Sequence, residues 1–375
     1  MTSVIFATQV VDPDDPVLGF VVNQVRALVS RGARVAVVAN EVRRVPTDLG
    51  AEVHSLGKEL GRSRARRTLE YERVVTTLAR RMRPATLLAH MVPVYLVLGA
   101  PALRATGGRT MLWYAHPRDS PKLALAEALS DVVLTTVAGT YPRSTDRLRV
   151  IGQAIDTERF SYAPPPEGAQ CRLLALGRPA PVKGYGTILE GFALARQAGV
   201  DATLDIAAPV TTAAETRHAS ELAALCRRLG LDGDEVFKPG VPQAEVPARI
   251  HAATALVNAT ASGSGDKVIF EAMACGRPVV ASNTALADLV RGGGLDLLYR
   301  AGDPSALAER VAEVAALAAR DRARLAAVGT ALRQQIVENH SIGHWAEAVM
   351  DLAAEIAARP PAAALARRLR AGRAG

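Results

Sequence analysis

Apolar residues fall along this chain in short runs of strand length, separated by stretches in which they recur at helical spacing. The first half opens with the run Val4–Ala7, a loop, a helical pattern over Gly19–Arg31 and a second run at Ala33–Ala39. Further runs at Thr86–Ala89, Thr110–Tyr114, Val132–Thr136 and Leu148–Ile151 continue the series. Apolar strands alternating with helices predict a parallel sheet covered on both faces, so this half reads as one open, doubly wound, Rossmann-like α/β domain.

The pattern lapses between Asp156 and Gln170, where SYAPPPEGAQ stands. Consecutive prolines remove amide donors and favour extended chain, which reads as an interdomain linker. A second series follows, with strands expected at Arg172–Leu176, Ala202–Ala207, Glu235–Lys238, Ala255–Asn258 and Pro278–Ala281. The chain then turns helical over Pro304–Ala358, started by Asp303-Pro304-Ser305 and broken near Ser341–Gly343; proline suits a first helical position. The expected division is residues 1–160 and 161–341, with a helix at 342–358 packing back on the first domain and a basic tail, 359–375, expected to be disordered. Two such domains would turn the mouths of their sheets toward a shared cleft, and ligands of open α/β sheets bind outside the carboxyl ends of the strands.

Composition agrees with two packed cores, since 49% of the 375 residues are hydrophobic and 22% charged. No apolar run approaches the roughly 18 residues of a membrane-spanning helix, and Met1–Thr8 reads as a first strand and not as a signal peptide; a cytoplasmic location is expected. Cys171, Cys226 and Cys275 are odd in number and lack a CxxC partner, which supports neither disulfides nor zinc. The formal charge of +8 is concentrated in GRSRARR (Gly61–Arg67), in Arg80–Arg83 and in Arg359–Arg373. These read as a solvated face and a tail; the alternative is peripheral contact with an anionic membrane, where a lipid-linked acceptor would sit.

Candidate chemistry lies in the second series. The strand CRLLAL ends in Gly177-Arg178, and Lys183-Gly184 precedes the helical pattern Thr187–Ala198. Two cations beside a helix start can neutralise a diphosphate without a metal. The second element is TASGSGDKVIFEAMACGRPVVAS, Thr260–Ser282. Its small-residue loop, Ser262–Gly265, permits close backbone approach, and Asp266 is placed to cap the helix after it. Glu271 stands in an otherwise apolar helix, where a carboxylate needs a partner. A ribose diol matches its two acceptor oxygens; an ion pair with a neighbouring arginine is the structural alternative.

With these blocks in order, the sequence resembles the retaining glycosyltransferases of the GT-B fold, family 4. The resemblance spans almost the whole chain and rests on GRPAPVKG, EAMACGRPVVAS, VIGQAIDTERF before the proline stretch, WYAH at Trp113–His116, and SIGHWAEAV. It implies that residues 1–160 face the acceptor and 161–341 bind a nucleotide sugar. It assigns the donor diphosphate to Arg178 and Lys183, the ribose to Glu271, the phosphates also to the loop glycine Gly19, and the donor sugar to His116. The backbone of Gly265, Asp266, Lys267 and Val268 would approach sugar and diphosphate. The family often carries a second glutamate eight residues before Glu271; here that position is Gly263, so Asp266 or loop amides would orient the sugar. The Gly-rich turn usual after the second strand is IAAPVTT, Ile206–Thr212.

The implied reaction moves a hexose-type sugar from a UDP donor, with GDP the alternative, to a hydroxyl acceptor. It retains anomeric configuration and requires neither cofactor nor metal. Arg178, Lys183 and His116 form the expected catalytic set, and the departing phosphate takes the acceptor proton. A nicotinamide dehydrogenase is disfavoured because no GxGxxG follows the first strand. Asp12-Pro13-Asp14 and Asp232-Gly233-Asp234 imitate a metal-binding DxD but read as turns. The competing readings are a nucleotide-sugar epimerase or hydrolase on the same fold, and a basic surface-binding protein. Nucleic acid is not an expected partner, since the basic clusters lack interleaved aromatics.

Overall fold

The six apolar runs of the first half, joined by one strand that no run announces, form a seven-stranded parallel sheet in the order β3-β2-β1-β4-β5-β6-β7. In chain order its elements are β1 (Ser3–Val11), α1 (Phe20–Ser30), β2 (Arg34–Val42), β3 (Glu52–Ser55), α2 (Arg64–Arg81), β4 (Ala85–His90), α3 (Pro93–Ala105), β5 (Arg109–Trp113), α4 (Pro121–Leu129), β6 (Val132–Thr135) and β7 (Leu148–Val150). The computed structural model describes residues 2–15, 17–260 and 263–359. Ser262 of the small-residue loop and the basic tail beyond Arg359 lie outside the described residues.

The second series continues with β8 (Cys171–Leu176), α5 (Tyr185–Gln197), β9 (Ala202–Ala207), α6 (Ala213–Arg228), α7 (Gly233–Val236), β10 (Phe237–Lys238), α8 (Val246–Ala252), β11 (Ala255–Asn258), α9 (Lys267–Ala274), β12 (Val279–Ala281), α10 (Ala287–Arg291), α11 (Pro304–Arg320) and α12 (Arg322–Asn339). Its strands form a five-stranded parallel sheet ordered β10-β9-β8-β11-β12. The last helix among the described residues is α13 (Ile342–Ala358). The chain divides into two compact units, Met1–Ala154 with everything from Ile342 on, and Ile155–Ser341.

Each face of the first sheet carries its own core. One face meets α1 and α13 through Val25, Leu28, Trp345 and Val349; the other meets α2, α3 and α4 through Tyr71, Leu78, Leu96 and Leu123. Helix α13 returns to this unit because its apolar stripe has a place there: Trp345 is fully buried and meets Trp113 edge-on, ring centroids 5.3 Å apart. Removing so large an aromatic face from water stabilises by about 2–3 kcal/mol.

Four expectations change. The stretch Glu235–Lys238 is not one strand: the Asp232 side chain accepts the Asp234 N–H at 2.9 Å and starts the helical turn α7, leaving only two residues to pair as β10. Strand β3, four residues with no apolar run, is unannounced in the sequence and forms by pairing Glu52–Ser55 with Ala36–Ala39. The terminal helical region breaks at Asp321 as well as near Ser341, since Asp321 ends α11 and its side chain caps α12 by accepting the Arg324 N–H at 2.9 Å.

The proline stretch is no free linker either. From Ile155 onward it belongs to the second unit, held there by arginines that take up the carbonyls prolines leave unpaired. Arg277 donates to Ala163 and Pro164, Arg322 to Pro165, Pro166 and Gly168, and Arg333 to Thr157 and Phe160. A planar guanidinium with five donors suits this task.

Candidate donor site

In the second sheet the strand order reverses between β8 and β11, which pair directly. With Leu256 opposite Leu174, the carboxyl ends of the two strands lie level, and this reversal is where open α/β sheets hold ligands. The chain leaves β8 through Gly177 (φ 132°) and a short 3-10 turn, Pro181–Lys183, then enters α5 through Gly184 in the left-handed conformation (φ 62°). A side chain on Gly184 would also stand 2.7 Å from the Ala259 carbonyl oxygen. Glycine is therefore required twice over, by backbone angle and by contact with the end of β11.

That contact brings Lys183 to Asp266. The Lys183 Nζ is 2.7 Å from Asp266 Oδ2, and the same oxygen accepts from Asn258 Nδ2 at 2.8 Å and Thr260 Oγ1 at 3.0 Å. Asp266 does stand at the N-cap position of α9, but its side chain makes no capping hydrogen bond. A carboxylate oxygen given three side-chain donors, one of them charged, serves them in preference to a backbone amide.

Arg178 is held by a different carboxylate. Its Nη1 donates to Glu215 Oε1 at 2.9 Å, and Glu215 belongs to the first turn of α6. Glu271 is buried on α9 and pairs through Oε1 with Lys267 Nζ one turn earlier, at 3.2 Å. The partner is thus a lysine of the same helix, and no arginine is involved. Val268 is buried beside it in the first turn, and Gly265 and Ser264 precede the cap, with the Ser264 carbonyl accepting from the Asp266 N–H and from Asn283 Nδ2. Arg178, Lys183, Asp266, Lys267 and Glu271 therefore belong to loops and first helical turns that follow β8 and β11.

Gly19 and His116 belong to the first unit. Gly19 precedes α1, and any side chain on it would strike the carbonyl oxygens of Pro13 and Asp15 at 2.7 and 2.8 Å. His116 is exposed three residues beyond β5. Its Nδ1 accepts the Arg118 N–H at 3.1 Å, which leaves the proton of the neutral ring on Nε2. Loss of part of the ring's hydration and the Arg118 charge lower its pKa, so the neutral ring is favoured.

The Asp-x-Asp pairs are turns: the Asp12 side chain accepts the Asp14 N–H at 3.1 Å, as Asp232 accepts that of Asp234. The three cysteines are buried and free. No helix among the described residues is long and apolar enough to cross a membrane. Sequence reasoning missed Glu215, Asn258 and Thr260. The one available signal was Thr212-x-x-Glu215, a capping-box spacing.

Residues 170–317 match the family described as Glycosyl transferases group 1. A D-inositol 3-phosphate glycosyltransferase from Frankia alni is 33% identical over 190 residues, 45% of this chain and 44% of that protein. The chain thus matches less than half the length of this relative. Among solved structures, Anabaena HepE in complex with UDP and glucose superposes with a TM-score of 0.72 at 18% identity, covering 94% of this chain and 99% of that one. Sucrose-phosphate synthase from Thermosynechococcus elongatus gives 0.72 at 17% identity, covering 95% and 99%. Residues 170–317 thus carry a glycosyl transferases group 1 domain, and the chain shares the fold of HepE and of sucrose-phosphate synthase.

Proposed function

We propose that this protein is a retaining, metal-independent glycosyltransferase that moves a hexose from a UDP-sugar to a hydroxyl acceptor. The observation that carries the reading is the grouping of two cations and a buried carboxylate where β8 and β11 end side by side. Arg178 and Lys183 each engage one carboxylate and keep further donors for a diphosphate. Glu271 holds the ribose hydroxyls, and amides before α9 approach the phosphates at the positive end of the helix. HepE, whose structure contains UDP and glucose, supports uridine as the base.

Charge develops on the leaving diphosphate as the glycosidic bond breaks, and positive groups fixed in advance stabilise it without reorganising. The departing phosphate oxygen takes the acceptor proton on the same face, which gives retention. Gly19 and His116 carry the roles that the family resemblance gives them. The Frankia relative supports a polyol phosphate as one acceptor to try.

The test is thermal stabilisation by a panel of UDP-, GDP- and ADP-sugars, followed by anomeric analysis of the product formed from the stabilising donor with a panel of polyol and lipid acceptors. A retained glycoside is the expected product. Stabilisation by none of the donors would refute the reading, and release of free or epimerised sugar alone would replace it with hydrolysis or epimerisation.

A further inference from the structure

Arg178 is long and its side chain 47% exposed, yet one contact fixes it, the 2.9 Å hydrogen bond from Nη1 to Glu215 Oε1. Glu215 is almost buried, and its other oxygen is fully engaged: Oε2 accepts the Thr211 N–H at 2.8 Å, the Thr211 hydroxyl at 2.7 Å and the Thr212 N–H at 3.1 Å. The Thr212 hydroxyl in turn accepts the Glu215 N–H at 3.2 Å, which closes a capping box at the start of α6. An ordinary capping box satisfies helix-end amides and asks nothing more of its glutamate. Here three donors hold one oxygen, so the carboxylate cannot rotate without breaking them, and the second oxygen stays on Arg178. These bonds, those of Thr211 first, hold the Glu215 carboxyl below its usual pKa range, and it is charged at neutral pH.

We propose that Glu215 is a positioning residue that fixes the Arg178 guanidinium for the donor diphosphate. The proposal rests on the donor-site reading above. Lys183 is held by the same device, since Asp266 fixes it through an oxygen anchored by Asn258 and Thr260. In both cases a side chain with many rotamers is ordered before substrate arrives, and ordering in advance lowers the cost of binding a charge that develops only in the transition state.

A positioning role separates binding from turnover. Removing the Glu215 charge makes the site more positive, so nucleoside diphosphate binding holds or tightens, while the disordered guanidinium stabilises the leaving group less well. The experiment uses the donor selected by the panel, UDP-glucose with UDP as the binding probe, or GDP-mannose with GDP. Glu215→Gln keeps an acceptor for Thr211 and Thr212 but turns an amide toward Arg178. Its expected kcat is about 10- to 100-fold lower, the range of one lost charge-assisted hydrogen bond, with KM and the UDP dissociation constant unchanged or reduced. In an Arg178→Ala background the same substitution should alter kcat less than twofold. Thr212→Ala, which loosens the α6 cap and leaves the Arg178 contact in place, should lower Tm without lowering kcat.

The proposal is overturned if Glu215→Gln retains kcat within twofold, if it costs as much without Arg178 as with it, or if Thr212→Ala reproduces its loss of turnover. If Arg178→Ala itself leaves UDP binding and kcat unchanged, the donor-site reading fails and the Glu215 proposal falls with it.

Discussion

Replacing Glu271 tests the ribose end of the proposed donor site most directly. In the structure the residue is 8% exposed and its carboxylate has one charged partner among the described residues, Lys267 at 3.2 Å, which leaves acceptor capacity for two hydroxyls. Hydrogen bonds from a diol to a carboxylate contribute about 1.5–3 kcal/mol each, less the cost of desolvating the group. A net loss of about 2 kcal/mol on Glu271→Ala corresponds to about 30-fold weaker binding of UDP. Folding should suffer little, because an i,i+4 pair contributes only about 0.3–0.5 kcal/mol and Lys267 can turn to water. Calorimetry with UDP and with its 2′,3′-dideoxy analogue isolates the interaction. The wild type should prefer UDP by about 30-fold, and the variant should bind both ligands nearly alike. A variant that keeps the preference for the intact ribose would show that Glu271 does not hold it, whatever the change in overall affinity.

Three further outcomes are expected. Gly184→Ala should cost at least about 1 kcal/mol from its left-handed backbone alone and should weaken UDP binding, because relieving the 2.7 Å approach to Ala259 moves Lys183; normal binding in a destabilised variant would contradict the link. Arg277 is fully buried and donates to carbonyls of Ile250, His251, Ala163, Gly276 and Pro164. Arg277→Met should lower unfolding free energy by about 3–5 kcal/mol in urea titrations by orphaning them, and Arg277→Lys should recover less than half, since one ammonium cannot span three segments; a change below about 1 kcal/mol would refute the clamp. His90 is buried among Phe6, Phe20 and Trp113, and burial lowers its pKa to about 4. The unfolded chain takes up this proton below about pH 6.5, and the folded chain only near pH 4. Its contribution is therefore complete above pH 6.5 and is lost, by at most about 1.4 kcal/mol per unit and about 3 in all, as pH falls toward 4. His90→Gln should flatten that slope in denaturant titrations, and equal slopes would refute the assignment.

The hydrophobic pattern alone determined most strands, because a strand buried on both faces reads as a largely apolar run, as in β1, β4 and β11. Local chemistry marked the cations after β8 and the carboxylate on α9 as candidates, and for Glu271 it left an ion pair open as the alternative. Strand β3 stayed hidden because its stability comes from its partner β2, and no local preference announces it. The partnerships within the site were hidden for the same reason. Nothing in a one-dimensional reading says that Lys183 will meet Asp266, or Arg178 meet Glu215, because those distances follow from β8 and β11 lying side by side and from α6 starting beside the loop that leaves β8. Asp266 shows the principle in one residue. Its position ahead of α9 pointed to a helix cap, whereas the fold surrounded it with Lys183, Asn258 and Thr260, and the charged donor won over the backbone amide.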